Sequence, residues 1–264
     1  MNSRISWVGS DRSYVDELNY CQVGRVAVGR FGGNSSSGQD KNEDGCLVWT
    51  DHDWELSMVL DAHKTAESAD LVIKEIKQHR SILECILEKP VGEAIGALQE
   101  RILFIFQHED FRQRCQEVTG ETACLIVVRK AKYVWWFSVG DCVLYLIHPD
   151  LEVLGEYKQN HLSFYEWIGK VNTFDAVVPC YSTGTKELRK GKTILLLTTD
   201  GLIECPNTNF HSSVEVAKRM KGNTVGEGVR QLLSEVKENG VRDSTTILSW
   251  EIDIEENATM PSDR

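Results

Sequence analysis

Five aspartates stand where apolar, strand-like runs begin or end. Asp44 precedes CLVW, Asp61 closes SMVL, Asp141 follows YVWWFSVG, Asp200 closes ILLLTT, and Asp243 precedes TTILSW. Four have a small neighbour, in Asp44-Gly45, Asp61-Ala62, Gly140-Asp141 and Asp200-Gly201. A carboxylate at a strand end, beside a residue that lets backbone approach, suits an oxygen-ligand site at one edge of a sheet. Carboxylates gathered without counter-charge repel one another and take up protons, so hard divalent cations are their natural complement. Each aspartate alone also reads as a turn former, because Asp commonly bonds its own backbone in turns. The five together carry the metal reading.

The elements that must position them arrive in blocks. Val23 to Phe31 reads as a strand, followed by the loop GGNSSSGQDKNEDG and by strands Cys46 to Thr50 and Trp54 to Asp61, joined by a hairpin at Asp51-His52-Asp53. Helical spacing follows in two stretches separated by Pro90. Val72, Ile76, Leu83, Ile86 and Leu87 form the first, and Val91, Ala94, Ile95, Leu98, Ile102, Ile105 and Phe106 the second, which predicts an antiparallel helical pair. Strands return at Thr122 to Arg129, Tyr133 to Val139 and Cys142 to Ile147. A less regular, aromatic segment covers about 156–190. Then come a strand over Thr193 to Thr199, a helix through Val225, Val229, Leu232, Leu233 and Val236 ending near Gly240, and a strand over Thr245 to Ile254. Blocks of strands and helices, without strict alternation, predict an α+β sandwich of antiparallel sheet covered by helices.

Six short motifs then occur in a fixed order: Asn42-Glu43-Asp44-Gly45, Leu60-Asp61-Ala62-His63, Gly120-Glu121-Thr122-Ala123, Val139-Gly140-Asp141, Thr199-Asp200-Gly201-Leu202 and Arg242-Asp243-Ser244-Thr245. In order and approximate spacing the chain resembles the metal-dependent type 2C protein serine/threonine phosphatases, as a bacterial-like member, over about residues 24–252. The resemblance implies a four-layer α-β-β-α sandwich with two antiparallel sheets flanked by helical pairs. It implies one phosphatase domain over 1–255, a flap-like segment at about 156–190 and a flexible tail at 256–264.

It further implies a site of two Mn2+ or Mg2+ ions between the sheets, held by Asp44, Asp61, Asp200 and Asp243, with the Ala62 carbonyl contributing through water. Glu43 matches an acidic residue that orders metal-bound water. Asp141, Asp200 and Glu204 match a weaker third-metal site. The implied reaction is hydrolysis of phosphoserine or phosphothreonine in a phosphoprotein by a water activated between two metals, without a covalent intermediate. His63 matches the general acid, because an imidazole titrates near neutrality and can protonate the departing alkoxide.

Three departures from the family pattern bear on substrate and metal. An Arg usually stands four residues before the Glu of the first motif and grips the substrate phosphate; here that place holds Gln39, and with the nearest basic residues, Lys41 and Arg30, it is expected to bind the phosphate. A lysine does not replace a bidentate guanidinium. The final motif carries Ser244 where Asn is usual, and the second carries Ala62 in place of Gly; both leave the aspartates in place. Two rival readings follow: a small-molecule phosphatase on the same fold, and a catalytically impaired pseudophosphatase acting as a binding or regulatory module. The retained carboxylates and His63 favour an enzyme.

Other chemistry finds less support. Cys180 to Lys186 has the spacing of a cysteine-based phosphate loop but ends in Lys, and Cys124 to Arg129 is one residue short. Gly191-Lys192-Thr193 precedes a strand where a phosphate-binding loop precedes a helix, so it reads as a turn. Trp135 and Trp136 read as opposite faces of one strand, and the aromatics of 156–190 as a small flap core. The eight cysteines are scattered without metal spacing and read as reduced, mostly buried thiols.

The chain has 264 residues, with 29 Lys+Arg against 40 Asp+Glu and a formal net charge of −11. That balance argues against nucleic-acid and anionic-membrane partners, which need a broad basic surface. No signal peptide or membrane span is read, so the expected location is cytoplasmic, and the Asn34-Ser35-Ser36 and Asn257-Ala258-Thr259 sequons read as chance.

Overall fold

Near-continuous apolar strands need a partner for each face, and here both faces are covered. The computed structural model describes residues 3–222 and 224–259; of the expected C-terminal tail, 260–264 lie outside the described residues. The first sheet contains β1 (Ser3–Val8), β4 (Gly45–Thr50), β5 (Trp54–His63), β6 (Glu121–Lys130), β7 (Tyr133–Val139) and β10 (Ser182–Glu187), in that order, with the short β9 (Ile168–Gly169) beside β6. The second runs β2 (Leu18–Val23), β3 (Val26–Phe31), β12 (Thr245–Ile254), β11 (Gly191–Thr198), β8 (Val143–Ile147). Every pairing among them is antiparallel.

Period 2 sorts the side chains into layers. Cys46, Val48, Val59, Leu125, Val127 and Trp136 from the first sheet meet Val28, Leu144, Leu195, Leu197, Leu248 and Trp250 from the second. Their neighbours along the first-sheet strands, Leu47, Trp49, Met58, Ile126 and Trp135, point the other way, onto α1 (Glu67–Gln78), α2 (Arg80–Leu87), α3 (Val91–Gln107) and α4 (Glu109–Glu117). The far face of the second sheet, with Phe31, Tyr145 and Leu196, packs on α6 (Ser213–Met220) and α7 (Val225–Glu238) through Val216, Met220, Leu232 and Val236. The result is a four-layer α-β-β-α sandwich, with Trp135 and Trp136 on opposite faces of β7 as expected.

Several elements differ from the sequence reading. The strand expected from Val23 is two strands, β2 and β3, joined by a two-residue turn at Gly24-Arg25. The first helical stretch is broken at His79 into α1 and α2, and α4, α5 (Pro149–Val153) and α6 are additional. The aromatics of 156–190 form no core of their own. Phe174 and Tyr181 stack with Phe137 in the helix-side core, Tyr157 joins the core against α6 and α7, and Phe164 and Tyr165 are exposed. No helix among the described residues is long and apolar enough to cross a membrane.

Candidate active site and metal centre

The registers bring the five aspartates to one end of the sandwich. In the first sheet Gly45 pairs with Leu60, Asp61 with Ala123 and Cys124 with Val139, so Asp44, Asp61 and Asp141 fall at the same edge. In the second, Thr198 pairs with Ile247, which places Asp200 and Asp243 just beyond the paired segment. Gly140 makes the turn into Asp141 with φ +87°, and a Cβ there would lie 2.5 Å from the Ala123 side chain, so a larger residue would push this turn off the sheet.

Asp61, Asp141 and Asp200 each present a carboxylate oxygen, and these atoms lie within 4.8 Å of one another. Asp200, Glu204 and Asp243 form a second such group, so Asp200 belongs to both. Glu204 sits one turn after Asp200, its N–H donating to the Asp200 carbonyl at 2.9 Å. Glu204 thus joins Asp200 and Asp243, where the resemblance implied a set with Asp141.

Asp44 is in neither group. It is 1% exposed, and its Oδ2 accepts hydrogen bonds from Thr246 Oγ1 at 2.6 Å and Thr199 Oγ1 at 3.0 Å. Ala62 is buried on β5 opposite Thr122.

Burial and mutual crowding set the electrostatics of these carboxyls. Burial, then the neighbouring Asp61, pushes Asp200 up to about 11. Burial likewise raises Asp61, with Asp44 adding to it, and raises Asp44 against the opposing Thr246 hydrogen bond. Asp141 is raised by burial, and so is Glu204, helped by Asp243. Asp141 Oδ1 and Asp200 Oδ1 are buried with no hydrogen-bond partner among the described residues. Unpartnered oxygens on crowded carboxylates fit divalent cations, which invert this charge balance.

His63 ends β5 and is exposed, with its ring edge-on to Trp167 at 6.2 Å between centroids. It lies close enough to Asp141 for its charge to oppose that group's rise. Trp167 comes from the segment 156–190, and its place beside His63 was not legible from spacing.

The expected phosphate-binding residues are arranged differently. Lys41 Nζ donates to Glu43 Oε1 at 2.7 Å and to the Lys64 carbonyl at 2.6 Å, so Lys41 and the half-buried Glu43 neutralise each other. Gln39 is buried. Arg30 is a correction: it is 5% exposed, donates to Asn19 Oδ1 at 2.6 Å and lies over the rings of Trp7 and Tyr14, which removes it from a substrate site. Gln39, Lys41, Glu43, Glu204, Asp243 and the previously unassigned Arg242 line a cavity of about 570 Å³.

No pair of the eight cysteines is joined by a disulfide, and Cys46, Cys115, Cys124, Cys142 and Cys205 are buried. Burial raises Cys46 to about 12, and a hydrogen bond with Glu166 raises the exposed Cys180, so neither is poised as a thiolate nucleophile.

In fold the chain is similar to solved bacterial serine/threonine phosphatases. A solved bacterial serine phosphatase matches with TM-score 0.65 and 17% identity, covering 89% of this chain and 99% of that one. The Mycobacterium tuberculosis serine/threonine phosphatase PstP/Ppp matches with TM-score 0.64 and 15% identity over 88% and 99% of the two chains. RsbX, solved in complex with magnesium, matches with TM-score 0.57 and 15% identity over 89% and 100%. No family model matches the sequence, and no curated protein matches it.

Proposed function

We propose that this chain is a metal-dependent protein serine/threonine phosphatase of the type 2C family, built as one domain over 1–255. The observation that carries the reading is Asp200, shared by two three-carboxylate groups and holding a buried oxygen without a partner. Asp61, Asp141 and Asp200 would hold one divalent cation, and Asp200, Glu204 and Asp243 another. Mn2+ or Mg2+ suits an all-oxygen donor set, and the magnesium complex of RsbX supports that choice.

When bound, the cations supply Lewis acidity toward a phosphoryl oxygen and toward a water. The chain's own residues do the rest. Asp44, fixed by Thr199 and Thr246, ties the two sheets together beside the ligand carboxylates. His63, exposed at the rim beside Trp167, protonates the departing seryl or threonyl oxygen. The exposed Phe164 and Tyr165 offer apolar surface near that rim to a phosphoprotein. The unpaired buried thiols favour a reducing compartment, the cytoplasm.

The test is hydrolysis of an aryl phosphate and of phosphoserine and phosphothreonine peptides, with Mn2+ or Mg2+ and with chelator. Metal-dependent turnover of the peptides is expected. Turnover of the aryl phosphate alone would assign a small-molecule phosphatase, and no turnover a binding module.

A further inference from the structure

A phosphomonoester carries negative charge into the carboxylate-rich cavity at Glu204 and Asp243, so productive binding calls for a cation besides any metal. Of the basic residues at hand, Lys41 is engaged by Glu43 and by the Lys64 carbonyl, and Arg30 is enclosed by Asn19, Trp7 and Tyr14. Arg242 is exposed and lines the cavity, and its side chain makes neither an ion pair nor a hydrogen bond to another described residue. Its backbone is held in place. The preceding Val241 carbonyl accepts from Asn34 N–H at 2.9 Å, and a Cβ on Gly33, which has φ +83°, would lie 2.2 Å from the Arg242 carbonyl oxygen. The same point lies 2.9 Å from Gln39 Cγ, so the Gln39 side chain and the Arg242 main chain meet over one glycine.

We propose that Arg242 anchors the substrate's phosphoryl group, supplying from the segment just before β12 the bidentate guanidinium that the Gln39 loop lacks. The inference rests on the phosphatase reading and adds a substrate-binding residue to it. A guanidinium fork matches two phosphoryl oxygens, and its place beside Asp243 sets it next to the carboxylates that would hold metal.

The experiment is steady-state hydrolysis of p-nitrophenyl phosphate with Mn2+, and inhibition by inorganic phosphate, in wild type, Arg242→Ala, Arg242→Lys and Arg242→Ala/Gln39→Arg. Arg242→Ala is expected to raise KM and the phosphate inhibition constant at least about tenfold, with a smaller effect on kcat, because charge-assisted hydrogen bonds to the phosphate are lost. Lysine should recover part of the loss. An arginine at position 39, reaching the same cavity from the neighbouring loop, should recover more. Calorimetric Mn2+ affinity of Arg242→Ala should not fall. Unchanged KM and phosphate inhibition would overturn the inference, as would a loss of Mn2+ affinity in step with KM, which would make Arg242 a support for Asp243. A wild-type protein that hydrolyses no phosphoester with metal would overturn the phosphatase reading itself, and the anchor with it.

Discussion

Thr246 Oγ1 donates a 2.6 Å hydrogen bond to Asp44 Oδ2, joining a strand of one sheet to the carboxylate that opens a strand of the other. Thr199, at the end of β11, donates to the same oxygen. Asp44 is therefore a buried fastener between the sheets at the site. Thr246→Val keeps the shape and removes the donor, leaving a buried carboxyl oxygen less satisfied, at a cost of about 1–3 kcal/mol. Urea unfolding should show that loss, and Mn2+ affinity should weaken because the two sheets carry different ligands of the site. A variant as stable as wild type would mean that Thr199 alone suffices.

Asp200→Asn should separate function from stability. The variant removes the one carboxylate common to both groups, so metal-dependent turnover should fall about a thousandfold or more, since Lewis-acid stabilisation amounts to several kcal/mol. In chelator the same change removes the cost of burying the Asp200 carboxyl beside Asp61 and Asp243, which the metal-free chain otherwise meets by holding a proton there, and the melting temperature should rise. Melting curves with and without Mn2+ check both signs. A variant less stable than wild type in chelator would show that burying the Asp200 carboxyl does not govern the stability of the metal-free site.

The raised carboxyls also set a pH dependence. Burial lifts Asp44, Asp61, Asp141, Asp200 and Glu204, with Asp200 reaching about 11. The metal-free folded chain thus retains protons that the unfolded chain releases near pH 4. More protons bound in the folded state means that stability falls as pH rises, from about 4 towards 11. Divalent cations compete with those protons, so the stabilisation by Mn2+ should grow over the same range. Melting in chelator at about pH 5.5 and about pH 8.5 should give the lower temperature at the higher pH, and the opposite order would contradict the crowding of these groups.

What could be read in advance was local. The strand Thr245–Ile254 coincides with its expected span, and the aspartates were legible because each sits at the end of an apolar run. Elements with little apolar signal of their own were not. β10, STGTKE, has no large apolar residue and exists by pairing with β7; α4 buries only Phe111 and Cys115, four residues apart. Roles that depend on distant partners were also hidden. Arg30 looked available until Trp7, Tyr14 and Asn19 closed over it, and Arg242 stood in a recognised motif with nothing local to mark it as uncommitted.

The pairing of His63 with Trp167 gives the last prediction. If His63 protonates the leaving oxygen, its importance should follow the basicity of that oxygen. A seryl or threonyl alkoxide needs the proton, whereas p-nitrophenolate departs readily without one. His63→Gln should therefore lower kcat on a phosphothreonine peptide by about 10²–10⁴-fold, the usual worth of a general acid, and affect p-nitrophenyl phosphate far less. Trp167→Ala removes the ring that flanks His63 and should shift the same substrate ratio in the same direction by a smaller factor, without changing Mn2+ affinity. Equal losses on both substrates would instead make His63 a binding residue, and would place the source of the proton elsewhere.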